Sequence, residues 1–330
     1  MTLAPYVRIV AQGKGRARAM TFDEARAAMT EILTGSPAPE AVGALLMVLR
    51  LRGETVDEIA GFVSALRSTL SRWSRARAAL DWPSYASGRT RGAPWYLLSA
   101  RLVAEAGFPV LLHGRNATES HLRDHLGPMG VPVVDTPEAA QQALARAGMA
   151  YLPVEAMSPA AARILGLRAD LGLRSCMNSC LRMANPSDAR GSVQGVFHPG
   201  YRPLQADVAE RLGDPATMIL KGGGGEFERT PFKSVALFGA RDGVPFPPAP
   251  PHIDEARRLG DLDLPDSAPA DLWDGSISDP AAEATVLGTA ALALLTLGAA
   301  PDLAAAETLA RGLWDNRSPR QALPLETTGP

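Results

Sequence analysis

The sequence predicts an α/β protein in two parts: a small helical N-terminal domain over residues 1–75, and a larger α/β domain over 76–330 with a mainly parallel central sheet. Three observations carry this. The first seventy residues hold amphipathic stripes punctuated by helix-capping signals. From about residue 80, short apolar runs alternate with helical stretches, the rhythm of strands joined by crossover helices. With 330 residues at 46% hydrophobic, the chain is long enough to bury a large core.

Thr21 to Glu24 forms a capping box that opens a helix carrying Phe22, Ala25, Met29, Ile32 and Leu33 on one face, with Gly35 placed to end it. Thr55 to Glu58 repeats the device ahead of Ile59, Phe62, Val63, Leu66 and Leu70. Between them, Pro39 to Arg52 reads as a helix apolar nearly all round and closed by Gly53, so the three make a small bundle. Its apolar surface exceeds what such a bundle needs, which leads us to expect a homodimer through this domain.

In the second part, Val110 to Leu112, Val131 to Val134, Val193 to Phe197, Met218 to Leu220 and Val235 to Phe238 read as buried strands. Pro94 to Ala106, Pro137 to Ala147, Pro203 to Leu212 and Ala282 to Leu297 read as the intervening helices. The five prolines of Gly243 to Pro251 mark a loop. A sheet of this kind binds ligands beyond the carboxyl ends of its strands.

The N-terminal residues lack a charged region followed by an apolar one, and the apolar segment Ala284 to Ala300 reads as a core helix. We therefore expect a cytoplasmic chain that does not engage a membrane. Cys176 and Cys180 supply neither a disulfide framework nor a full zinc site, and free cysteine packs as a small apolar residue. His121 and His125 have helical metal-ligand spacing without converging acids, so solvated histidines are expected there. No catalytic triad or paired-acid signature emerges, and the catalytic residues remain unknown at this level.

Net charge is −2, yet the charges are uneven. Arg8, Lys14, Arg16 and Arg18 occur in the first twenty residues without an acid, while Arg72, Arg75, Arg77, Arg89 and Arg91 crowd a stretch containing only Asp81. Such runs are either solvated faces or a footprint for polyanions. Trp73, Trp82, Tyr85, Trp95 and Tyr96 lie among them as core residues or stacking surfaces for bases. After the run Met218 to Leu220, the segment LKGGGGEFER places Gly222, Gly223, Gly224 and Gly225 where backbone N–H groups can approach an anion, flanked by Lys221 and Arg229.

The order of motifs resembles glycosyltransferase family 3, whose best-known member is anthranilate phosphoribosyltransferase: a helical N-terminal domain, a strand ending in His113 and Gly114, the run RADLGLRS from Arg168, then Asn185 and Pro186, then GSVQGV. The resemblance implies a nucleoside phosphorylase/phosphoribosyltransferase-like fold, and a substrate pocket surviving in vestige at His113, Gly114 and Arg168. Members carry a G-T-G-G-D loop for the diphosphate of phosphoribosyl pyrophosphate. Here the corresponding segment, beginning at Asp81, reads DWPSYASGRTRGAPW. Their acidic pair for magnesium is represented at the matching position only by Glu226, followed by Phe227. No cofactor is therefore expected, and no metal unless Glu226 still holds magnesium for a retained transfer reaction.

The segments DWPSYASGRTR and KGGGGEFER, with GKGRAR near the N-terminus, look like the YbiB-type paralogues, which bind DNA and RNA without sequence preference. That resemblance implies a sequence-nonspecific binder of single-stranded DNA or RNA using Lys14, Arg16, Arg18, Arg72, Arg75, Arg77, Arg89, Arg91, Lys221 and Arg229. The alternative is an active glycosyl or phosphoribosyl transferase with an altered donor site.

Overall fold

A computed structural model describes residues 2–13, 15–85, 92–115, 120–253 and 268–317. Lys14, Arg89 and Arg91 lie outside the described residues, as does the side chain of His121.

The N-terminal part is helical: Ala4–Ala11 (α1), Phe22–Thr34 (α2), Pro39–Arg52 (α3) and Val56–Thr69 (α4). Both anticipated capping boxes form, with Thr21 accepting from the Glu24 amide and Thr55 from the Glu58 amide. Glu58 also accepts from the Met20 amide and from Arg52 Nη2, so one fully buried carboxylate ties the α4 start to the α2 entry and the α3 end. Gly61 allows α2 and α4 to approach closely, since a Cβ there would lie 2.4 Å from the Phe22 carbonyl oxygen.

The rest is a seven-stranded sheet flanked by helices: Leu80–Ser84 (β1), Val110–Gly114 (β2), Met149–Pro153 (β3), Gly191–Val196 (β4), Ala216–Lys221 (β5), Phe238–Arg241 (β6) and Val244–Pro245 (β7). The spatial order is β3-β2-β1-β4-β5-β6-β7; the first five strands are parallel, and β6 and β7 are antiparallel. Major helices are Tyr96–Glu105 (α5), Pro137–Ala147 (α6), Met177–Arg182 (α7), Tyr201–Leu212 (α8), Pro280–Leu297 (α9) and Leu303–Asp315 (α10). The α9 helix has the length and composition to cross a membrane, but most of it is buried in the core.

Several expected strands shift. Val131 to Val134 makes only an isolated bridge from Val133 to Tyr151, and Val235 only one to Ala249, so neither run is a sheet member at that point. β1 and β3 were hidden: Asp81 and two prolines interrupt their apolar pattern, and tertiary pairing overrides that local signal. The Pro-rich segment contributes β7 rather than being wholly loop. His125 is buried rather than solvated.

Arg67 joins the helical part to the rest. Its Nη1 and Nη2 donate to the two Asp214 carboxylate oxygens at 2.6 and 2.8 Å, and Nε donates to the Met183 carbonyl. A two-point, partly buried pair of this kind fixes orientation as well as distance.

Arg18 is similarly committed, donating two 2.6 Å bonds to Glu24. That contact, followed by the Thr21 amide, lowers the Glu24 pKa from 4.5 to about 2. Because the folded value lies below the ordinary one, the stabilisation is present above pH 4.5 and is lost as pH falls through about 2. After screening at this exposed site we expect Glu24→Gln to lower stability by about 0.5–1 kcal/mol at neutral pH. Urea unfolding at a series of pH values should show the difference from wild type shrinking across that window.

Candidate functional site

The strand order reverses at β1: β2 and β3 lie on one side, β4 and β5 on the other. Such a switch point opens a crevice at the carboxyl ends of the strands. Here β1 and β4 pair only at Leu80 with Gly191 and Asp81 with Ser192, then separate. Arg182, at the end of α7, spans the gap. Its Nε donates to the Gly195 carbonyl on β4 at 3.0 Å, Nη2 to the Tyr85 carbonyl beyond β1 at 3.0 Å, and Nη1 to Asn178.

A buried polar chain holds the other side. The Asp81 and His113 side chains are both inaccessible to solvent, with His113 Nε2 3.0 Å from Asp81 Oδ1. Ser192 Oγ donates to Asp81 Oδ2 at 3.0 Å, and the Tyr85 hydroxyl lies 2.9 Å from His113 Nδ1. The Tyr85 contact fixes the ring at Nδ1, while on its other side Nε2 and Asp81 Oδ1 lie close together without the alignment of a hydrogen bond. Burial pushes the Tyr85 hydroxyl well above its usual pKa, which keeps it a donor. His113 therefore serves the core instead of lining a pocket. Gly114 is required by packing, since a Cβ would lie 2.2 Å from the Ser84 carbonyl oxygen and 2.8 Å from the Tyr151 hydroxyl. Arg168 stands exposed on the short helix Arg168–Leu171.

The glycine segment extends from β5. Gly224 and Gly225 take φ of 64° and 92°, and a Cβ at Gly222 would collide with the Glu226 carbonyl oxygen at 1.6 Å. The glycines thus form a turn that folds back on itself. Part of the anticipated row of N–H groups is used internally, because Gly225 N donates to the Gly222 carbonyl and Glu226 N to the Gly223 carbonyl. What the turn delivers is a pair of buried acids, Glu226 and Glu228, 3% and 5% exposed. Ser84 Oγ donates to Glu226 Oε1 at 3.1 Å and lies 2.9 Å from the Tyr96 hydroxyl, while Tyr96 N donates to Glu228 Oε2 at 3.2 Å. Both carboxylates therefore meet the ends of β1 and α5. Among the described residues, no group of three or more His, Cys, Asp or Glu side chains is arranged to hold a metal. Magnesium asks less of the protein, one or two carboxylates with phosphate and water completing its shell, and Glu226 and Glu228 supply that number of carboxylates.

Other expected site residues separate from this edge. Arg229 is only 1% exposed, with Nη1 on Glu307 at 2.8 Å and Nη2 on the Pro250 carbonyl, so its charge is spent inside the fold and not on a passing phosphate. Lys221 is exposed at the end of β5. Arg16, Arg72, Arg75 and Arg77 are exposed, although Arg72 also bonds the Ala156 carbonyl and Arg75 pairs with Glu138. All five aromatics considered as stacking surfaces are buried, Trp73 bonding the Met157 carbonyl and Trp82 packing edge-on against Phe227. Their apolar bodies belong to the core. Glu228 and Arg182 escaped the sequence reading. The first had a signal, an acid two residues beyond Glu226 in an extended stretch; the second had none beyond its place near Asn185 and Pro186.

Residues 5–70 match the model described as glycosyl transferase family, helical bundle domain, and residues 96–243 match glycosyl transferase family, a/b domain. The chain is similar to the anthranilate phosphoribosyltransferase of Sinorhizobium medicae, 33% identical over 227 residues covering 67% of this chain and 65% of that protein. The match to the Geobacillus kaustophilus enzyme of the same name is 31% identical and covers 90% of this chain and 88% of the relative. The first relatives are thus matched over just under two thirds of their length. Among solved structures, anthranilate phosphoribosyltransferase from Thermus thermophilus superposes with a TM-score of 0.74 at 26% identity, covering 90% of this chain and 92% of the other. The Saccharomyces cerevisiae structure in complex with PRPP and Mg shares the fold, with a TM-score of 0.70 at 14% identity.

The buried Asp81 gives this edge a stability signature. Removing it leaves the buried Ser192 hydroxyl without its acceptor and His113 without the carboxylate beside it, so Asp81→Ala should cost about 3 kcal/mol. Asp81→Asn, which keeps one acceptor oxygen, should cost less. Denaturant unfolding of the two variants measures the difference.

Proposed function

The chain belongs to this glycosyl transferase family, and on that premise we propose that it is a glycosyl or phosphoribosyl transferase with an altered donor site. The observation that supports it is the pair of buried carboxylates, Glu226 and Glu228, set at the carboxyl edge beside Ser84 and the amino end of α5. If the donor is a phosphoribosyl diphosphate, as the relatives' names suggest, these two acids are the groups to hold magnesium. Bound there, the ion would offset charge on the departing diphosphate. Ser84 orients Glu226, and the Tyr96 amide orients Glu228. The alteration lies at the crevice itself, where Tyr85 is held by His113 and Arg182 bridges the strand ends. On this reading anthranilate-dependent turnover is absent or marginal, and a different acceptor is used.

A second reading, sequence-nonspecific binding of single-stranded DNA or RNA as in the YbiB-type paralogues, is favoured by one feature: Arg72, Arg75 and Arg77 are all exposed on the segment that follows α4. Arg16 adds a further exposed cation. Homodimerisation through the helical domain is proposed with either reading.

The two readings part in a single experiment. Purified protein with phosphoribosyl pyrophosphate, magnesium and a panel of aromatic amines and nucleobases should release pyrophosphate with at least one acceptor, and Glu226→Gln should reduce that release at least tenfold in a folded protein. Failure with every acceptor contradicts the transferase reading. Oligonucleotide binding that loses roughly one unit of salt slope on Arg75→Ala, without regard to sequence, would then put the second reading first.

A further inference from the structure

A narrow recess of about 70 Å³ opens where the carboxyl end of α3 meets the end of β4 and the start of α8. Arg50, Arg174, Arg182, Asn178, Phe197 and His198 are among its lining residues, and none of those residues is a carboxylate. Arg182 is buried among the lining residues. Its donors already serve three carbonyls, so it acts on a ligand through its field. Arg50 is exposed at the rim, steadied by one bond from Nη1 to the Tyr201 hydroxyl at 3.1 Å. A guanidinium has five N–H donors in a planar fork, so this contact pre-orients Arg50 without exhausting it.

Three guanidinium groups around a recess with no acid among its described lining residues select an anion. What the anion is attached to is suggested by Phe197, which is 51% exposed and set edge-on to His198 with centroids 5.0 Å apart. An exposed ring beside a cationic recess suits a planar, aromatic group lying outside while the charged head enters. The recess is too small for a whole nucleotide, which fits that division.

We infer that this recess binds a nucleoside monophosphate, with the phosphate between Arg50 and Arg174 and the base over Phe197. This does not depend on the transferase reading, because neither Glu226 nor Glu228 takes part. The opposing charge is Glu54, a half-buried acid attracted to Arg50 and Arg52 that competes with an incoming phosphate.

Calorimetric titration with adenosine monophosphate, inorganic phosphate and adenosine tests it. The monophosphate should bind more tightly than phosphate, and adenosine should give no measurable heat. Arg50→Ala, at an exposed position where folding is preserved, should weaken the monophosphate and phosphate alike by roughly tenfold. Phe197→Ala should weaken the monophosphate by roughly tenfold and leave phosphate unchanged. Glu54→Gln should strengthen both. No heat with the monophosphate at millimolar concentration, or an affinity unchanged in Arg50→Ala, would overturn the inference. So would binding of an oligonucleotide by a protein that ignores the mononucleotide.

Discussion

The separation of β1 from β4 after two paired residues is the constraint from which the functional half of this structure follows. Two parallel strands that part company leave carbonyls without ladder partners, and buried carbonyls need donors. Arg182 answers by donating to Gly195 on one strand and Tyr85 beyond the other. The buried chain from Tyr85 through His113 to Asp81 and Ser192 links β2, β1 and β4 where the last two still pair. A crevice that open α/β sheets commonly leave for a ligand is here organised by the chain's own polar groups.

The acid pair depends on glycine for steric reasons more than for anion binding. Gly195 must lack a side chain because the Glu226 carbonyl would lie 2.2 Å from its Cβ, and Gly222 must lack one because the same carbonyl folds over it. These close approaches press the Glu226 backbone onto β4 and carry its carboxylate to Ser84. The four glycines thus create the position of the acids, and the cations beside them play different parts: Lys221 faces solvent, while Arg229 anchors the segment to α10 through Glu307.

Much of the fold was legible because its signals are local. The capping boxes at Thr21 and Thr55 are set by backbone chemistry within one turn and appear in the structure as read, as does the helix Pro137–Ala147. β1 was illegible because a central parallel strand normally reads as an apolar run, and this one contains Asp81, Pro83 and Ser84. Those residues are tolerated through partners far along the chain, His113, Ser192 and Glu226, that no local pattern reveals. The site divided in the same way. Glu226 was marked by its glycines, whereas Arg182 depends on strand order, and the inward turn of Arg229 depends on Glu307 some eighty residues later. Exposure separated the cations: composition could group Arg18 with Arg16, but only the fold shows that Arg18 is already paired with Glu24.

The central claim is that Arg182 holds the β1/β4 crevice together as a local bridge. Hydrogen exchange of Arg182→Leu against wild type tests it most directly. The account predicts that amides of Val193 to Phe197, with those of Ser84 and Tyr85, exchange at least tenfold faster while α2 and α4 keep their protection. Protection unchanged at the strand ends, or lost uniformly across the protein, would contradict it.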